Sequence, residues 1–179
     1  WIHSRSAGLE QTIFPELIAS DVMLTNGSGV FSPSLGEFAL AAMLYFAKDL
    51  RRMIRNQMAG QWEQVDVTML SGQTVGIVGY GSIGRAVAAR AHALEMRVIA
   101  LKRRVSRQPV QDSWIDETYA SEQCLEMLSR CDYLVVTLPL TQQTRDFIGE
   151  AEFAAMKKSA VLINLGRGPT IDERELIRA

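Results

Sequence analysis

The sequence contains 179 residues, of which 47% are hydrophobic and 22% are charged, and its formal net charge is −1. This composition is typical of a globular domain and excludes a disordered or fibrous chain. Because general nucleic-acid binding needs a basic surface, the near-zero net charge also predicts that the protein has no nucleic-acid partner.

Residues 1–33 are of mixed character and contain a predicted strand at residues 22–26, which a glycine-containing turn follows. Residues 34–58 predict one long helix, because apolar side chains recur at spacings of three and four residues. Ser34 and Glu37 fit a capping box at its start. Such a helix connects two globular parts, forms an oligomer surface or packs on its own core. The predicted apolar stripe comprises Leu35, Phe38, Ala39, Ala42, Met43, Phe46, Leu50, Met53 and Ile54.

The longest apolar run of the sequence lies within this helix, at residues 38–47. A membrane span needs about 18 such residues, so we expect no membrane partner. Cys124 and Cys131 are the only cysteines, too few for a disulfide framework or a cysteine-rich metal site. The sequence therefore predicts a cytoplasmic protein without a metal ion.

From residue 70 onward, predicted strands alternate with predicted helices. Near-continuous apolar strands joined by helices are typical of a parallel sheet that is covered on both faces. The predicted fold class is therefore α/β, a doubly wound parallel sheet of the Rossmann type. The predicted strands are residues 75–78, 97–101, 132–138 and 160–164, and the predicted helices are residues 83–94, 122–128, 150–156 and a last helix from residue 172.

A G-x-G-x-x-G motif at residues 79–84 closes the first of these strands and opens the following helix, which is the context that a dinucleotide site requires. Gly79 would permit the tight turn, Gly81 would let the backbone approach a pyrophosphate, and Gly84 would let helix and strand pack closely. The helix N-terminus at Ser82 and Ile83 would offer N–H groups to the phosphates. The alternative is a tight turn that binds no ligand.

The end of the next strand indicates which dinucleotide binds. In NAD sites a carboxylate at this position binds the ribose hydroxyls, but this sequence has Lys102, Arg103 and Arg104 instead. Cationic side chains suit the 2′-phosphate of NADP. We therefore predict NADP as the cofactor, with NAD as the alternative. In that alternative the three cations form a solvated basic turn.

With these residues in place, the whole chain resembles the D-isomer-specific 2-hydroxyacid dehydrogenases, and within them the glyoxylate/hydroxypyruvate-type reductases. Most NAD-using members of that family have an Asp at the position of Lys102, whereas reductase members often have basic residues there. The resemblance extends over five segments in the same order as in the family. The similar segments are residues 1–8, 25–37, 70–79, 131–141 and 164–172.

The resemblance implies that the chain consists of three parts. Residues 1–33 would be the remnant of a flavodoxin-like substrate domain, and residues 34–58 would be the interdomain helix. Residues 59–179 would be an NAD(P)-binding Rossmann domain that is truncated at its C-terminal end. The same resemblance implies a homodimer built around the nucleotide domains and the long helix.

The resemblance also implies the reaction, a hydride transfer between NADP(H) and C2 of a small 2-oxo or 2-hydroxy acid. Arg167 would hold the substrate carboxylate and polarise the 2-oxo group, since its planar fork matches a carboxylate and it follows a strand end. Backbone N–H groups of Ala7 and Gly8 would add to this grip. The cofactor cleft would also include Thr137, Leu138, Pro139, Thr144 and Gly166.

The acid/base group that such a reaction needs is usually a histidine beside a carboxylate. By resemblance, the family's Glu and His would lie beyond Ala179, and the chain itself contains only His3 and His92. We expect His92 to pack or to face solvent, whereas His3 lies near the presumed substrate loop. The chain begins with Trp1, not Met, so we expect a piece of a longer protein. Because it would lack the family's Glu and His, we expect it to bind cofactor but to turn over poorly or not at all.

Two other functions use the same fold. A cofactor-sensing interaction protein, as in the corepressors of this family, would bind its partner in a cofactor-dependent way and turn over little. A different Rossmann enzyme, such as a relative of formate dehydrogenase, would be distinguished by its substrates.

Overall fold

The computed structural model describes residues 1–102 and 113–179. The first elements of the chain are β1 (Ile2–Ser4), α1 (Pro15–Ile18), β2 (Leu24–Asn26), α2 (Ser32–Ala47) and α3 (Leu50–Met58). The remaining elements are β3 (Thr74–Val78), α4 (Ser82–Ala93), β4 (Arg97–Leu101), β5 (Glu117–Tyr119), α5 (Cys124–Arg130), β6 (Tyr133–Val136), α6 (Glu150–Ala155), β7 (Val161–Asn164) and α7 (Glu173–Arg178).

The strands from β3 to β7 form one parallel sheet in the order β5-β4-β3-β6-β7. Val78 at the end of β3 is paired with Leu101 of β4 on one side and with Val136 of β6 on the other. The chain moves outward from β3 through β4 to β5 and then returns to the opposite side of β3. The doubly wound α/β class is therefore confirmed, and the order reverses between β3 and β6, where open sheets of this kind bind ligands.

Helices cover both faces of this sheet, and each face has its own buried cluster. Val75 and Ile77 of β3 pack with α2 and α4 on one face, where Met43 and Val87 are also buried. On the other face, Val78 packs in a cluster with side chains from α5 and β6. That second cluster includes Met127, Leu128, Cys131, Leu134, Val136 and Ile148. The near-continuous burial of β3 explains why its sequence is apolar without alternation.

The hydrophobic pattern did not predict β5, because this edge strand has three residues and only Tyr119 is buried. The Glu117 carboxylate accepts hydrogen bonds from Arg130 of α5, with Nη2 3.1 Å from Oε1, and from the Tyr119 hydroxyl at 2.7 Å. It also pairs with Arg97 of β4. The hydrogen bonds, that of Arg130 foremost, lower the pKa of Glu117 from 4.5 to about 2. This ion-pair cluster ties the edge strand to β4 and α5.

The single long helix predicted for residues 34–58 is wrong, because the chain forms two helices, α2 and α3. Between them Asp49 adopts a left-handed conformation with φ 45°. The backbone N–H of Thr68 donates to the Ala47 carbonyl at 2.9 Å, and Lys48 Nζ donates to the Thr68 carbonyl at 2.6 Å. The first bond satisfies a carbonyl that the end of α2 leaves unpaired, and the two bonds together fix the break.

The predicted capping box of Ser34 and Glu37 does not form. The helix begins at Ser32 with Phe31 as its N-cap residue, and the described residues supply no side-chain hydrogen bond to this cap. Pro33 stands in the first turn, a position that suits proline because the N–H groups there have no partner within the helix. Ser34 is therefore already inside the helix.

The predicted apolar stripe is only partly buried. Gly36, Ala39 and Met43 face inward, and a Cβ at Gly36 would lie 3.0 Å from the Ala86 carbonyl oxygen of α4. This close approach of the two helices requires small side chains. The two phenylalanines of the stripe remain outside, with Phe38 63% and Phe46 57% exposed.

Residues 1–33 form a separate two-stranded parallel sheet, in which Ile2 of β1 pairs with Leu24 of β2. The observed β2 is shorter than the predicted strand at residues 22–26, since Val22 and Met23 lie outside it. Across residues 1–102 and 113–179, no helix combines the length and apolar character that crossing a membrane requires.

Candidate active site

The glycine turn after β3 is packed tightly on one side and open on the other. Gly79 has φ 95°, in the left-handed region that favours glycine, and a Cβ there would lie 3.0 Å from Cδ2 of Leu138. A Cβ at Gly84 would lie 2.7 Å from the Gly79 carbonyl oxygen. By contrast, a Cβ at Gly81 would meet no described atom within 4 Å. The turn therefore presents open space beside the backbone of Gly81.

Helix α4 begins directly at this open space. Gly81 is its N-cap residue, and within the described part of the chain no side chain caps the helix. The first N–H groups of a helix have no partner inside the helix. Ser82 and Ile83, the first two residues of α4, line a cleft together with Arg167. A helix start of this kind favours an anionic group.

One cation predicted to contact the cofactor lies beside the glycine turn. Lys102 follows β4 directly, and its backbone N–H donates to the Tyr119 carbonyl at 2.9 Å. Its Nζ atom lies 4.6 Å from the centroid of the Tyr80 ring, which belongs to the turn. Arg103 and Arg104, the other two predicted cations, lie outside the described residues.

The segment after β6 forms the wall opposite α4. The backbone N–H of Thr137 donates to the Val78 carbonyl at 2.9 Å, and the Thr137 hydroxyl donates to the Gly79 carbonyl. Leu138 contacts Gly79, and a Cβ at Gly166 would lie 2.5 Å from the Leu138 carbonyl oxygen. The structure therefore brings Thr137, Leu138 and Gly166 to the glycine turn at the point where the strand order reverses.

Pro139 and Thr144 belong to the loop that continues from this wall. The Thr144 hydroxyl donates to the Pro139 carbonyl at 2.6 Å and accepts from the backbone N–H of Thr141 at 2.8 Å. Thr144 thus uses its hydroxyl to hold its own loop. The described contacts do not bring this hydroxyl to the glycine turn.

The backbone of Arg167 is fixed from two sides. Its carbonyl accepts hydrogen bonds from Nδ2 of Asn164 at 3.0 Å and from the Thr170 hydroxyl at 2.7 Å. Thr170 is fully buried. Asn164 and Thr170 are not among the predicted site residues. The signal that could have identified them is the pair of short polar side chains around a glycine-flanked arginine, since such side chains commonly bond to nearby backbone.

The side chain of Arg167 reaches residues 6–10, which precede α1. A Cβ at Gly8 would overlap Nη2 of Arg167, and Nε of Arg167 lies 3.4 Å from Oε1 of Glu10. Asn26 of β2 holds this loop by donating from Nδ2 to the Ala7 carbonyl at 2.7 Å. The structure thus brings Ala7, Gly8 and Arg167 together, although more than 150 residues separate them in sequence.

These parts enclose one cleft of about 320 Å³. It joins the start of α4, the Arg167 turn and the loop at residues 6–8. Several residues outside the predicted site also line it, most of them serines and residues near the start of α2. These additional lining residues are Ser6, Ser28, Gly29, Phe31, Ser32, Ser34, Leu35 and Leu165.

Neither histidine is among the described residues that line this cleft. Nδ1 of His3 lies 2.9 Å from Oγ1 of Thr25 on the neighbouring strand, and His92 is exposed on α4. Both cysteines are buried, and burial raises the pKa of Cys131 to about 12 and that of Cys124 to about 11. In the described ranges, no group of three or more His, Cys, Asp or Glu side chains could hold a metal ion.

Comparison with known proteins agrees with this geometry. Residues 40–179 match the sequence model of the NAD binding domain of the D-isomer specific 2-hydroxyacid dehydrogenases. The chain is 35% identical, over 97% of its length, to glyoxylate/hydroxypyruvate reductase B of Enterobacter sp. (strain 638). That match covers 54% of the reductase, so the chain spans about half the length of this curated relative.

Two solved structures are similar to nearly the whole chain. A D-isomer specific 2-hydroxyacid dehydrogenase family protein from Aeromonas salmonicida superposes with a TM-score of 0.86 at 28% identity, covering 99% of this chain and 56% of that protein. An NADPH-dependent glyoxylate/hydroxypyruvate reductase from Sinorhizobium meliloti, solved with NADP and sulfate, superposes with a TM-score of 0.83 at 27% identity, covering 98% of this chain and 56% of that one.

Proposed function

Since this chain belongs to the D-isomer specific 2-hydroxyacid dehydrogenase family, we propose that the complete protein is an NADP-preferring 2-hydroxyacid dehydrogenase. It acts in cells as a reductase of small 2-oxo acids. The observation that carries the proposal is the position of Arg167, which contacts Gly8 in a cleft that the start of α4 also lines. One cleft thus combines a cation suited to a carboxylate with a helix start suited to phosphate.

In this proposal Arg167 binds the substrate carboxylate through two parallel N–H donors and polarises the neighbouring 2-oxo group. Backbone N–H groups of Ala7 and Gly8 add to the grip from residues 1–33, the remnant of the substrate domain. The fixed backbone of Arg167 supports this role, because a catalytic side chain needs a rigid base to keep its orientation. When bound, the nicotinamide would supply the hydride that C2 receives, and an acid/base group of the complete protein would supply the proton for the 2-oxo oxygen.

The cofactor site is proposed on three features. The open space at Gly81 admits a pyrophosphate, and the start of α4 at Ser82 and Ile83 donates N–H groups to it. Lys102 stands at the end of β4, where it receives the 2′-phosphate of NADP. The solved relative that contains NADP supports this cofactor, and NAD is the alternative.

The comparisons favour an enzyme over a cofactor-sensing interaction protein. The relative and the solved structures described above are reductases and dehydrogenases by name.

Both cysteines are free thiols inside the fold, which suits the reducing cytoplasm as the place of action.

We propose a second copy of this chain as the protein partner. The inward face of α2 buries small residues and Met43, whereas the two phenylalanines of the apolar stripe lie outside. Phe38 is 63% exposed, Phe46 57%, Met58 at the end of α3 84%, and Trp62 beyond it 98%. These four side chains all fall within residues 38–62, and exposed apolar patches mark interaction surfaces. A homodimer would cover it.

The reductase proposal is tested by following NADPH oxidation by the complete protein with a panel of glyoxylate, hydroxypyruvate and pyruvate. We expect turnover with at least one of these acids. No turnover with any of them, together with partner binding that depends on NADPH, would instead favour the interaction protein.

A further inference from the structure

Tyr80 lies in the middle of the glycine turn, between Gly79 and Gly81. Its ring packs against the buried cluster on the α2 and α4 side of the sheet, so the fold determines where the ring lies. Nζ of Lys102 lies 4.6 Å from the ring centroid, which is within the range of a cation–π contact. Tyr80 thus holds the cation that follows β4 against the turn that would bind the cofactor phosphates.

We infer that Tyr80 is a positioning residue for Lys102, which makes it a determinant of the preference for NADPH over NADH. The inference rests on the proposed function, in which Lys102 binds the 2′-phosphate. A lysine side chain has four flexible carbons, and a phosphate that binds it must otherwise restrict this freedom. A lysine already held beside the ribose position loses less of its freedom when the phosphate arrives.

The type of contact matters as much as its position. Among the described residues, no carboxylate lies within ion-pair distance of Lys102. A carboxylate would hold the ammonium but would also repel an incoming phosphate. An aromatic face attracts the cation through its quadrupole and carries no net charge. Tyr80 therefore positions Lys102 and leaves its charge available to the 2′-phosphate.

The test is a set of fluorescence titrations of the purified chain with NADPH and with NADH. For Tyr80→Leu we expect the NADPH preference to fall about two- to tenfold, the factor that corresponds to ordering one flexible side chain on binding. The dissociation constant for NADH should stay within about twofold. Tyr80→Phe keeps the ring, so it should keep the preference. Tyr80→Met replaces Tyr80→Leu if thermal denaturation indicates that the leucine variant does not fold.

A double-mutant cycle with Lys102→Met separates this role from others. In the Lys102→Met background, Tyr80→Leu should leave the NADPH preference unchanged. An equal loss of NADPH and NADH affinity would overturn the inference, since Tyr80 would then support only the turn. The inference would also be overturned if Tyr80→Leu left the NADPH preference intact. It would be overturned likewise if Tyr80→Leu lowered the preference by the same factor in the Lys102→Met background as in wild type. A wild-type chain without any NADPH preference would overturn both the inference and the proposed cofactor.

Discussion

The guanidinium of Arg167 lies so close to Gly8 that any side chain at position 8 would overlap it. This contact joins the turn after β7 to the loop before α1, and it places the proposed carboxylate-binding cation at the cleft. Gly8 is required for the space that the Arg167 side chain occupies.

We therefore expect Gly8→Ala to displace Arg167. In the complete protein, kcat/KM for a 2-oxo acid should fall by about 100-fold, the effect of a misplacement of about 1 Å at an active site. The dissociation constant for NADPH should change less than twofold, because the glycine turn is untouched. Gly168→Ala is the matched control, since a Cβ there would meet no described atom within 4 Å. Equal effects of the two substitutions would contradict the proposed role of Gly8.

Replacement of Arg167 by Met should lower kcat/KM far more than it lowers cofactor affinity. Two hydrogen bonds between a guanidinium and a carboxylate contribute about 1.5–3 kcal/mol each, so we expect a loss of about 10²- to 10⁴-fold. Arg167→Lys should recover part of this, because it keeps the charge but not the planar fork. Steady-state kinetics with glyoxylate and NADPH measure the effect, and activity within tenfold of wild type in Arg167→Met would exclude the assignment.

Glu10 is the ion-pair partner of Arg167, and its removal should affect stability and substrate binding differently from the removal of Arg167. Oε1 of Glu10 lies 3.4 Å from Nε of Arg167, both side chains are partly exposed, and exposed ion pairs of this kind contribute about 0–1 kcal/mol. Glu10→Gln should therefore leave the folded state nearly as stable as wild type in urea denaturation. Since the pair competes with a substrate carboxylate for Arg167, the KM for a 2-oxo acid should fall rather than rise. A higher KM would mean that Glu10 orients Arg167 instead.

The Glu117 cluster gives the fold a stability that depends on pH. The pKa of the Glu117 carboxyl group is lowered from 4.5 in the unfolded chain to about 2 in the folded chain, mainly by the hydrogen bond from Arg130. Because the pKa is lower in the folded chain, the ionised Glu117 stabilises the folded state at every pH above the pKa of the unfolded chain. This stabilisation is lost as the pH falls toward the pKa of the folded chain. The loss should therefore occur between about pH 4.5 and pH 2. Urea denaturation of wild type and Glu117→Gln should differ most at neutral pH and converge near pH 2, whereas a constant difference would exclude the cluster as the cause.

If the exposed apolar side chains of α2 form the dimer interface, a charge at one of them should dissociate the dimer. We expect light scattering to give the mass of a dimer for the wild-type chain. Phe38→Glu should shift it to the monomer without unfolding it, because Phe38 is 63% exposed and outside the core. Glu122→Gln, directly before α5, which packs on the opposite face of the sheet, should leave the dimer intact. A wild-type monomer at high concentration would contradict the second copy as the partner.

Local patterns were sufficient to predict the centre of the sheet. The apolar runs of β3 and β6 are buried over their whole length, so hydrophobicity alone identified them, and the glycine motif fixed where β3 ends. The break between α2 and α3 depends on Thr68, which follows the break by some 20 residues in sequence, and no periodicity can include that contact. Periodicity also could not tell which apolar residues face inward, because the close approach to α4 favours Gly36 over Phe38.

The candidate site, too, was predictable from local sequence only in part. The glycine turn and Lys102 follow from spacing along one β-α-β unit. Arg167 and Gly8 were proposed together only through resemblance, because their contact spans more than 150 residues. The hydrogen bonds of Asn164 and Thr170 to the Arg167 carbonyl depend on how the turn after β7 folds. Both bonds span only three residues, so the short polar side chains on either side of Arg167 were the sequence signal for this role.

The most direct test of the central claim, that this chain binds NADP(H) through the glycine turn and the cation after β4, is a pair of fluorescence titrations. NADPH and NADH are each titrated against the chain at low and at high salt. We expect NADPH to bind at least about tenfold more tightly at low salt, since one hydrogen bond to the charged 2′-phosphate contributes about 1.5–3 kcal/mol, and the preference should shrink at high salt as the charges are screened. Equal binding, or tighter binding of NADH at low salt, would contradict the claim.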